Sequence, residues 1–143
     1  MTETVEPLRK AHDMAEIQNL KARYCEAVDG GTGDPTAMRI ALGALFAEDM
    51  QADYGTGMLQ GRAAVIEYLA EVICRPHAWL YHSLHTPLVE VDGDLATGRW
   101  TIIAYSRLHS SPDKQTQIGR YRDRFVRATE GWRFSLIQGL SEG

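Results

Sequence analysis

The hydrophobic period of this chain changes part-way along it, and that change most constrains the fold. Up to about residue 74, apolar residues recur every three or four positions, which is the spacing of one helix face. Beyond that point, β-branched and aromatic residues form longer runs separated by turn-forming residues, which indicates strands. Helices that precede the strands along the chain predict an α+β domain, with the helices packed on one face of an antiparallel sheet.

Capping and turn residues set the bounds of the predicted elements. Asp13 and Asp34 are suitable N-caps for the first two helices, and Pro76 stops the third. We predict helices over residues 13–29, 35–45 and 62–74, a short strand over 51–54, and long strands over 79–91, 96–108, 117–128 and 132–138. The apolar stripe of the third helix is expected at Val65, Ile66, Leu69, Val72 and Ile73. Residues 1–12 are polar and expected to be flexible, which leaves residues 13–140 as a single domain.

Composition argues against several classes of protein. The net charge is −4 and the basic residues are dispersed, whereas a nucleic-acid-binding domain usually carries a basic patch. No apolar run approaches the roughly 20 residues that a membrane-spanning helix needs, and the first residues lack the features of a signal peptide. Cys25 and Cys74 lie in predicted helices and are expected to be reduced, packed thiols, which predicts a cytoplasmic location.

The strand at residues 117–128 alternates basic residues with aromatic and acidic ones. Because side chains of a strand alternate between its two faces, one face carries Arg120, Arg122 and Arg124, and the other carries Tyr121, Asp123 and Phe125. The aromatic face is expected to point inward. Asp123 is then a carboxylate near the interior that must find a partner. The pattern leaves open whether that partner is structural or belongs to a binding site.

Two histidines, His82 and His85, lie three residues apart on the first long strand. This spacing places them on opposite faces, so they make a poor metal-binding pair, and we predict no metal site. One histidine is expected to face the cavity and the other to face outward. From the pattern alone, either a packing residue or a site residue is open.

Tyr24 and Asp29 lie near the end of the first predicted helix. Five residues apart, they diverge by roughly 140° on a regular helix, so they converge only if Asp29 has already left the helix. The alternative for Asp29 is a turn or capping residue. Tyr54 precedes the glycine loop Gly55-Thr56-Gly57 and is a candidate wall residue of a cavity. The loop itself lacks the spacing and the strand-to-helix context of a phosphate-binding loop.

Several segments together resemble one known family. They are Ile17-Gln-Asn-Leu-Lys-Ala-Arg-Tyr24, Asp29-Gly30, His82-x-x-His85-Thr86-Pro87, residues 92–100, Gly119-Arg-Tyr-Arg-Asp123 and Gly131-Trp-Arg133. These segments resemble the SnoaL-like branch of the nuclear-transport-factor-2-like (NTF2-like) superfamily, whose members include bile-acid 7-alpha-dehydratase and scytalone dehydratase. The resemblance covers residues 14–138. It implies a cone-shaped fold in which three helices pack on a curved, mainly antiparallel sheet around a cavity.

The resemblance also implies roles for individual residues. His82 falls on the family's general base, Asp29 on the carboxylate that orients it, and Tyr24 on a hydrogen-bond donor to a carbonyl or leaving oxygen. The further residues expected to contact a ligand are Tyr54, Tyr105, Tyr121 and Asp123. Two positions depart from the bile-acid enzyme: Ala104, next to Tyr105 and Ser106, replaces an acidic residue, and residues 137–143 contain no arginine.

These observations predict a cofactor-independent, dehydratase-like lyase or isomerase that uses a His-Asp dyad on an apolar cyclic carbonyl compound. The alternative is a non-catalytic small-molecule-binding or oligomeric assembly module, because one fold serves many functions. Contact between Asp29 and His82 at the cavity would favour the enzyme. Neither a cofactor nor a metal is expected, and the arginine face of the sheet is predicted to form a homodimer or homotrimer.

Overall fold

The computed structural model describes residues 2–141, with side chains described from residue 5. Within this range, three helices and one π-helical turn lie against a six-stranded sheet. The helices are α1 (Thr2–Gly30), α2 (Pro35–Leu45) and α3 (Arg62–Tyr68), and the π-helical turn Leu69–Cys74 continues α3. The strands are β1 (Phe46–Asp53), β2 (Met58–Gln60), β3 (His77–Asp92), β4 (Leu95–Leu108), β5 (Gln115–Ala128) and β6 (Gly131–Ser141).

The sheet has the strand order β2-β1-β6-β5-β4-β3. Strand β1 runs parallel to β6, and the other neighbouring strands described are antiparallel. The four long strands form a meander because each is joined to the next by a short turn, as the turn residues predicted. The α+β fold with a mainly antiparallel sheet is therefore confirmed.

Helix α1 begins at Thr2, so the prediction that it starts at Asp13 is wrong. Asp13 lies within the helix, and its buried carboxylate accepts hydrogen bonds from the Arg127 guanidinium at 2.8 and 3.0 Å and from the Trp132 indole at 3.1 Å. The side chain that looked like a cap is instead bound by the sheet. The flexible segment 1–12 stays a prediction, and its residues from Thr2 onward are helical.

Helix α2 follows the predicted signals closely. The Asp34 carboxylate accepts a hydrogen bond from the Ala37 backbone N–H at 3.0 Å, and Pro35 occupies the first turn, where its missing N–H is not needed. Met38, Leu42 and Leu45 are buried. This helix therefore covers the core beside α1.

The third helical segment is less regular than predicted. Val65 and Leu69 are buried as expected, but Val72 is 51% exposed, so its assignment to the apolar stripe is wrong. The reason is the π-helical turn, whose wider repeat shifts the faces of the residues that follow Tyr68. As a result Leu69 and Ile73 both reach the cavity described below.

An aromatic cluster fills the core between the helices and the sheet. The Phe134 ring lies 5.5 Å from Tyr24, 5.8 Å from Phe46 and 4.8 Å from Phe125, measured between ring centroids. Such tilted and edge-on pairs are preferred over face-to-face stacking. The cluster holds α1, β1, β5 and β6 together and supports one end of the cavity through Tyr24.

Candidate functional site

A cavity of about 220 Å³ opens between the end of α1, the π-helical turn and the concave face of the sheet. Its apolar walls include Val28, Leu69, Ile73, Leu80 and Ile102. Its polar groups include Tyr24, Tyr54, His77, His82, Ser106 and Tyr121. An apolar cavity with a few convergent polar groups is the usual form of a small-molecule site.

Asp29 and His82 meet at the wall of this cavity. The Asp29 Oδ1 atom lies 2.5 Å from His82 Nδ1, and Asp29 Oδ2 accepts the His82 backbone N–H at 3.0 Å. Because an ionised carboxylate can only accept, Nδ1 donates to it, and in the neutral ring Nε2 is then the nitrogen with the lone pair. His82 lines the cavity and its side chain is 10% exposed. This imidazole can therefore take a proton from a bound molecule.

Asp29 is still helical when it makes this contact, since α1 continues to Gly30. The glycines after Asp29 suggested that it had already left the helix, and this is wrong. Because Asp29 is helical, it does not converge with Tyr24 at the cavity, which agrees with the geometry of a regular helix. Tyr24 points to the cavity, whereas Asp29 points to β3. Asp29 is connected to the cavity through its hydrogen bond with His82, which lines the cavity wall. The curved sheet makes this possible because β3 passes the C-terminal end of α1.

Three tyrosines contribute phenol groups to the same cavity. The Tyr24 and Tyr54 hydroxyls lie 2.7 Å apart, and Tyr121 lines the wall beside them. Burial raises the pKa of Tyr24, Tyr54 and Tyr121, so all three remain protonated at neutral pH. In the Tyr24–Tyr54 pair, whichever hydroxyl accepts still has its own proton to donate to a ligand oxygen.

Asp123 is buried as expected but does not line the cavity. Its Oδ2 atom lies 2.8 Å from the Lys21 ammonium, and both side chains are fully buried. The contact joins opposite charges and is a buried ion pair. Burial raises the pKa of Asp123 to about 6, although Lys21 opposes the shift. The expectation that Asp123 contacts the ligand is thus corrected: its partner is a side chain of α1.

Lys21 was missed because lysine usually lies at the surface. The spacing did contain a signal, since Lys21 is four residues after Ile17 and three before Tyr24 on the buried stripe. Its ammonium lies 3.3 Å from the centroid of the Tyr121 ring and 4.5 Å from that of Tyr24. These cation–π contacts place Lys21 behind two cavity tyrosines.

Tyr105 lies on the opposite face of the sheet and is 43% exposed. Since side chains alternate along β4, Ala104 and Ser106 line the cavity and Tyr105 points away from it. The expectation that Tyr105 contacts the ligand is therefore corrected. His85 is likewise exposed, with Nε2 2.9 Å from the Ser83 hydroxyl, so one histidine of the motif faces the cavity and the other faces outward, as predicted.

The described residues contain neither a candidate metal-binding cluster nor a candidate membrane-spanning helix. Among side chains from residue 5 to 141, no group of three or more His, Cys, Asp or Glu residues is placed to hold a metal ion. Within the described range, none of the helices combines the length and apolar character that crossing a membrane requires.

The fold and the cavity agree with a match to a known family. A family model described as "SnoaL-like domain" matches residues 9–137. The chain belongs to the SnoaL-like family. The uncharacterized protein Mb2934c of Mycobacterium bovis is 32% identical over 126 residues, covering 85% of this chain and 80% of that protein.

Solved structures, one of them from the NTF2-like superfamily, share the fold of this SnoaL-like chain. An NTF2-like protein from Salmonella enterica superposes with a TM-score of 0.83 at 17% identity, covering 93% of both chains. A candidate scytalone dehydratase from Novosphingobium aromaticivorans has a TM-score of 0.80 at 22% identity, covering 100% of this chain and 89% of its own. At these identities the likeness establishes the fold, and the activity has to be argued from the site.

Proposed function

We propose that this SnoaL-like protein is a cofactor-independent, dehydratase-like lyase or isomerase. The observation that carries the proposal is the contact between Asp29 and His82 at the cavity wall. A neutral imidazole with its Nδ1 proton held by a carboxylate is a suitable general base, because the carboxylate stabilises the imidazolium that forms.

The proposed step begins at a carbon next to a carbonyl group. His82 Nε2 takes the proton from that carbon, the C–H electron pair forms a C=C bond to the carbonyl carbon, and the C=O π pair moves onto the oxygen. In a dehydration, the C=O bond re-forms, the C=C pair shifts to the α,β bond as the C–O bond of a β-hydroxyl group breaks, and the departing hydroxide takes the proton from the imidazolium and leaves as water. In an isomerisation of a β,γ-unsaturated ketone, the C=O bond re-forms and the imidazolium returns the proton to the γ carbon, so that the C=C bond moves to the α,β position.

The carbonyl oxygen gains negative charge in either reaction, and the phenol groups are suited to stabilise it. Tyr24 and Tyr54 share a short hydrogen bond, and Tyr121 lies beside them. Their raised pKa values keep them as donors rather than anions. Pre-placed donors of this kind act without reorganisation during the reaction, and removing one typically costs about 10²–10³ in rate.

The size and lining of the cavity suggest the ligand. An apolar cavity of roughly 150 Å³ can hold benzene, so 220 Å³ suits a compound of one or two rings. The polar groups are few and lie among aliphatic side chains such as Leu80 and Ile102. We therefore propose an apolar cyclic ketone or a close relative as the substrate class.

The test is deuterium exchange at the carbon next to the carbonyl group of 1-tetralone, a two-ring ketone, followed by NMR in D₂O. We expect the wild-type protein to accelerate exchange without added cofactor and His82→Ala to remove the acceleration. His85→Ala, a change on the outer face, is the matched control and should leave the rate unchanged. Binding of 1-tetralone without exchange would contradict the enzyme and favour a small-molecule-binding module.

We also propose that the outer face of the sheet forms a homodimer or homotrimer. Arg120, Arg122 and Arg124 are all exposed, although Arg120 also borders the cavity. Further along the strands, the outer face carries the exposed side chains of Tyr81, Tyr105 and Ile118. Exposed apolar patches of this kind are typical of interaction surfaces. Light scattering should give two or three times the 16.0 kDa of one chain, and a particle of 16.0 kDa at micromolar concentration would contradict the proposal.

A cytoplasmic location completes the proposal. Cys25 and Cys74 are both buried and unpaired, which suits a reducing compartment. Fractionation of the native host should recover the protein with cytoplasmic enzymes, and recovery in a secreted fraction would contradict this location.

A further inference from the structure

A second histidine, His77, lines the same cavity. It lies outside the sequence segments that carry the family resemblance. His77 is the first residue of β3, directly after the π-helical turn and Arg75-Pro76. Five residues of strand separate it from His82, roughly 15 Å between Cα atoms. The two imidazoles therefore lie toward different ends of the cavity.

The strand pleat alone would turn His77 away from the cavity. Leu80 and His82 are on the cavity face of β3, and an odd-numbered neighbour belongs on the other face. The pairing of β3 with β4 is irregular at this point, since His77 pairs with Leu108 and Trp79 pairs with Arg107. An extra residue of this kind bends a strand and redirects its side chains. The irregularity accounts for His77 facing inward.

The hydrogen bond of His77 fixes which ring nitrogen is basic. Its Nδ1 atom lies 2.6 Å from the carbonyl oxygen of Ile73, which belongs to the π-helical turn. A carbonyl oxygen can only accept, so Nδ1 donates, and in the neutral ring Nε2 is an acceptor. Among the residues that the structure describes, Nε2 of His77 has no hydrogen-bond partner.

We propose that His77 is a second ligand-binding residue, which selects molecules that carry a hydroxyl or N–H donor at the end remote from the carbon that His82 deprotonates. This deepens the proposed function, because it names a further feature of the ligand in the same cavity. A ligand hydroxyl donates to Nε2 of His77, while the carbonyl oxygen lies toward the tyrosines. A bound ligand that covers Nε2 of His77 without offering a donor removes the hydrogen bond that water can make there, which disfavours ligands that lack a donor.

The test compares two ketones that differ in one hydrogen-bond donor. The probes are 6-hydroxy-1-tetralone and 6-methoxy-1-tetralone, whose substituent lies across the ring system from the carbonyl, and the readout is Kd by titration calorimetry. We expect the wild-type protein to bind the hydroxy ketone about 3- to 10-fold more tightly. His77→Asn should abolish this preference, because its amide can still donate to Ile73 but no longer offers Nε2.

Two further variants separate this proposal from others. His85→Asn, on the outer face, is the matched control and should keep the preference. His82→Ala should also keep it, because the preference concerns binding, so a failure of the general-base proposal would be distinguishable. If His77→Asn does not fold, His77→Phe replaces it and should likewise remove the preference.

Three results would overturn the proposal. They are equal affinity for the two ketones in the wild-type protein, an undiminished preference in the His77 variants, and no measurable binding of the hydroxy ketone at millimolar concentration. A purely structural role of His77 at the π-helical turn would lower the melting temperature of the variants while leaving the ratio of the two affinities unchanged.

Discussion

Two of the side-chain pairs that join α1 to the sheet, Lys21–Asp123 and Asp29–His82, differ in their access to the cavity. The Lys21–Asp123 pair is sealed in the core, with both side chains fully buried. The Asp29–His82 pair lies at the cavity wall, and its side chains are 18% and 10% exposed, respectively. Both pairs have heavy atoms within 3 Å, so distance alone does not separate them.

The difference lies in the atoms left over. In the core pair, a buried carboxylate and a buried ammonium face each other and aromatic rings, and Asp123 does not line the cavity. In the wall pair, His82 keeps a lone pair on the cavity side. The sealed pair can thus affect folding, whereas the proposed function assigns the wall pair an action on a ligand. Perturbing each pair should therefore move a different measurement.

The largest effect on folding is expected from Lys21→Met. This change leaves the Asp123 carboxylate buried without its cation, and breaking such a pair typically costs about 3–5 kcal/mol. The double variant Lys21→Met/Asp123→Leu should recover most of the loss, because no charge then remains buried. Urea unfolding of the three proteins measures this, and a double variant as unstable as the single one would contradict it.

Asp29→Asn should produce the reverse pattern. We expect deuterium exchange of 1-tetralone to fall by about 10²–10⁴-fold, because the amide no longer stabilises the imidazolium. The free energy of unfolding should change much less, since an amide oxygen can still accept from His82. Parallel exchange and unfolding measurements check this, and a loss of stability that matches the loss of rate would remove the distinction between the pairs.

The pH dependence of stability offers a further contrast, between Asp123 and Asp13. The pKa of Asp123 is about 6 in the folded protein and about 3.8 when unfolded, so the folded state holds its proton more tightly. Its contribution to stability is full below about pH 4 and is lost as the pH rises to about 6. The Arg127 guanidinium lowers the pKa of Asp13, so the stability from that group is lost as the pH falls below 3.8.

Asp123→Asn isolates the first of these contributions. The difference in unfolding free energy between the wild-type protein and this variant should decrease from pH 4 to pH 6 and then level off. Urea titrations at several pH values give this difference. A difference that increases over the same range would mean that the ionised form is the preferred one in the core.

The smallest effect is expected at an ion pair in water. Arg39 and Glu67 are 2.8 Å apart on the surface, with side chains 37% and 61% exposed. Exposed pairs contribute little, so Arg39→Ala should change the unfolding free energy by no more than about 0.5 kcal/mol. A larger loss would show that burial is not what separates the core pair from the others.

Local signals in the sequence predicted most of the fold. Asp92-Gly93 and Thr129-Glu130-Gly131 mark tight turns, so the lengths and pairing of β3 to β6 followed from them. The alternation of β3 likewise placed His82 and His85 on opposite faces. These features depend on residues a few positions apart, which periodicity reports directly.

The features that were missed depend on contacts between distant segments. Lys21 of α1 is buried because it forms an ion pair with Asp123 of β5. Asp13 of α1 binds the sheet rather than capping a helix because it forms an ion pair with Arg127 of β5. The irregularity that turns His77 inward exists in the pairing of two strands, not in either one alone. The sequence carries the residues for these contacts but not the register that joins them.

The parallel pairing of β1 with β6 has a consequence for how the chain reaches its native state. Phe46 pairs with Phe134, and β1 has no other long strand beside it. Strand β1 therefore cannot complete its pairing until β6 is present. Such pairing between segments that are distant in the sequence is typical of slow folding. During synthesis, the helices and the hairpin of β3 and β4 can form early. The cavity that Tyr24 and Tyr54 line is complete only when β6 has been synthesised and has paired with β1 and β5. Until then, the aromatic residues of β1 and α1 are exposed, and this stage is where we expect a chaperone to be needed.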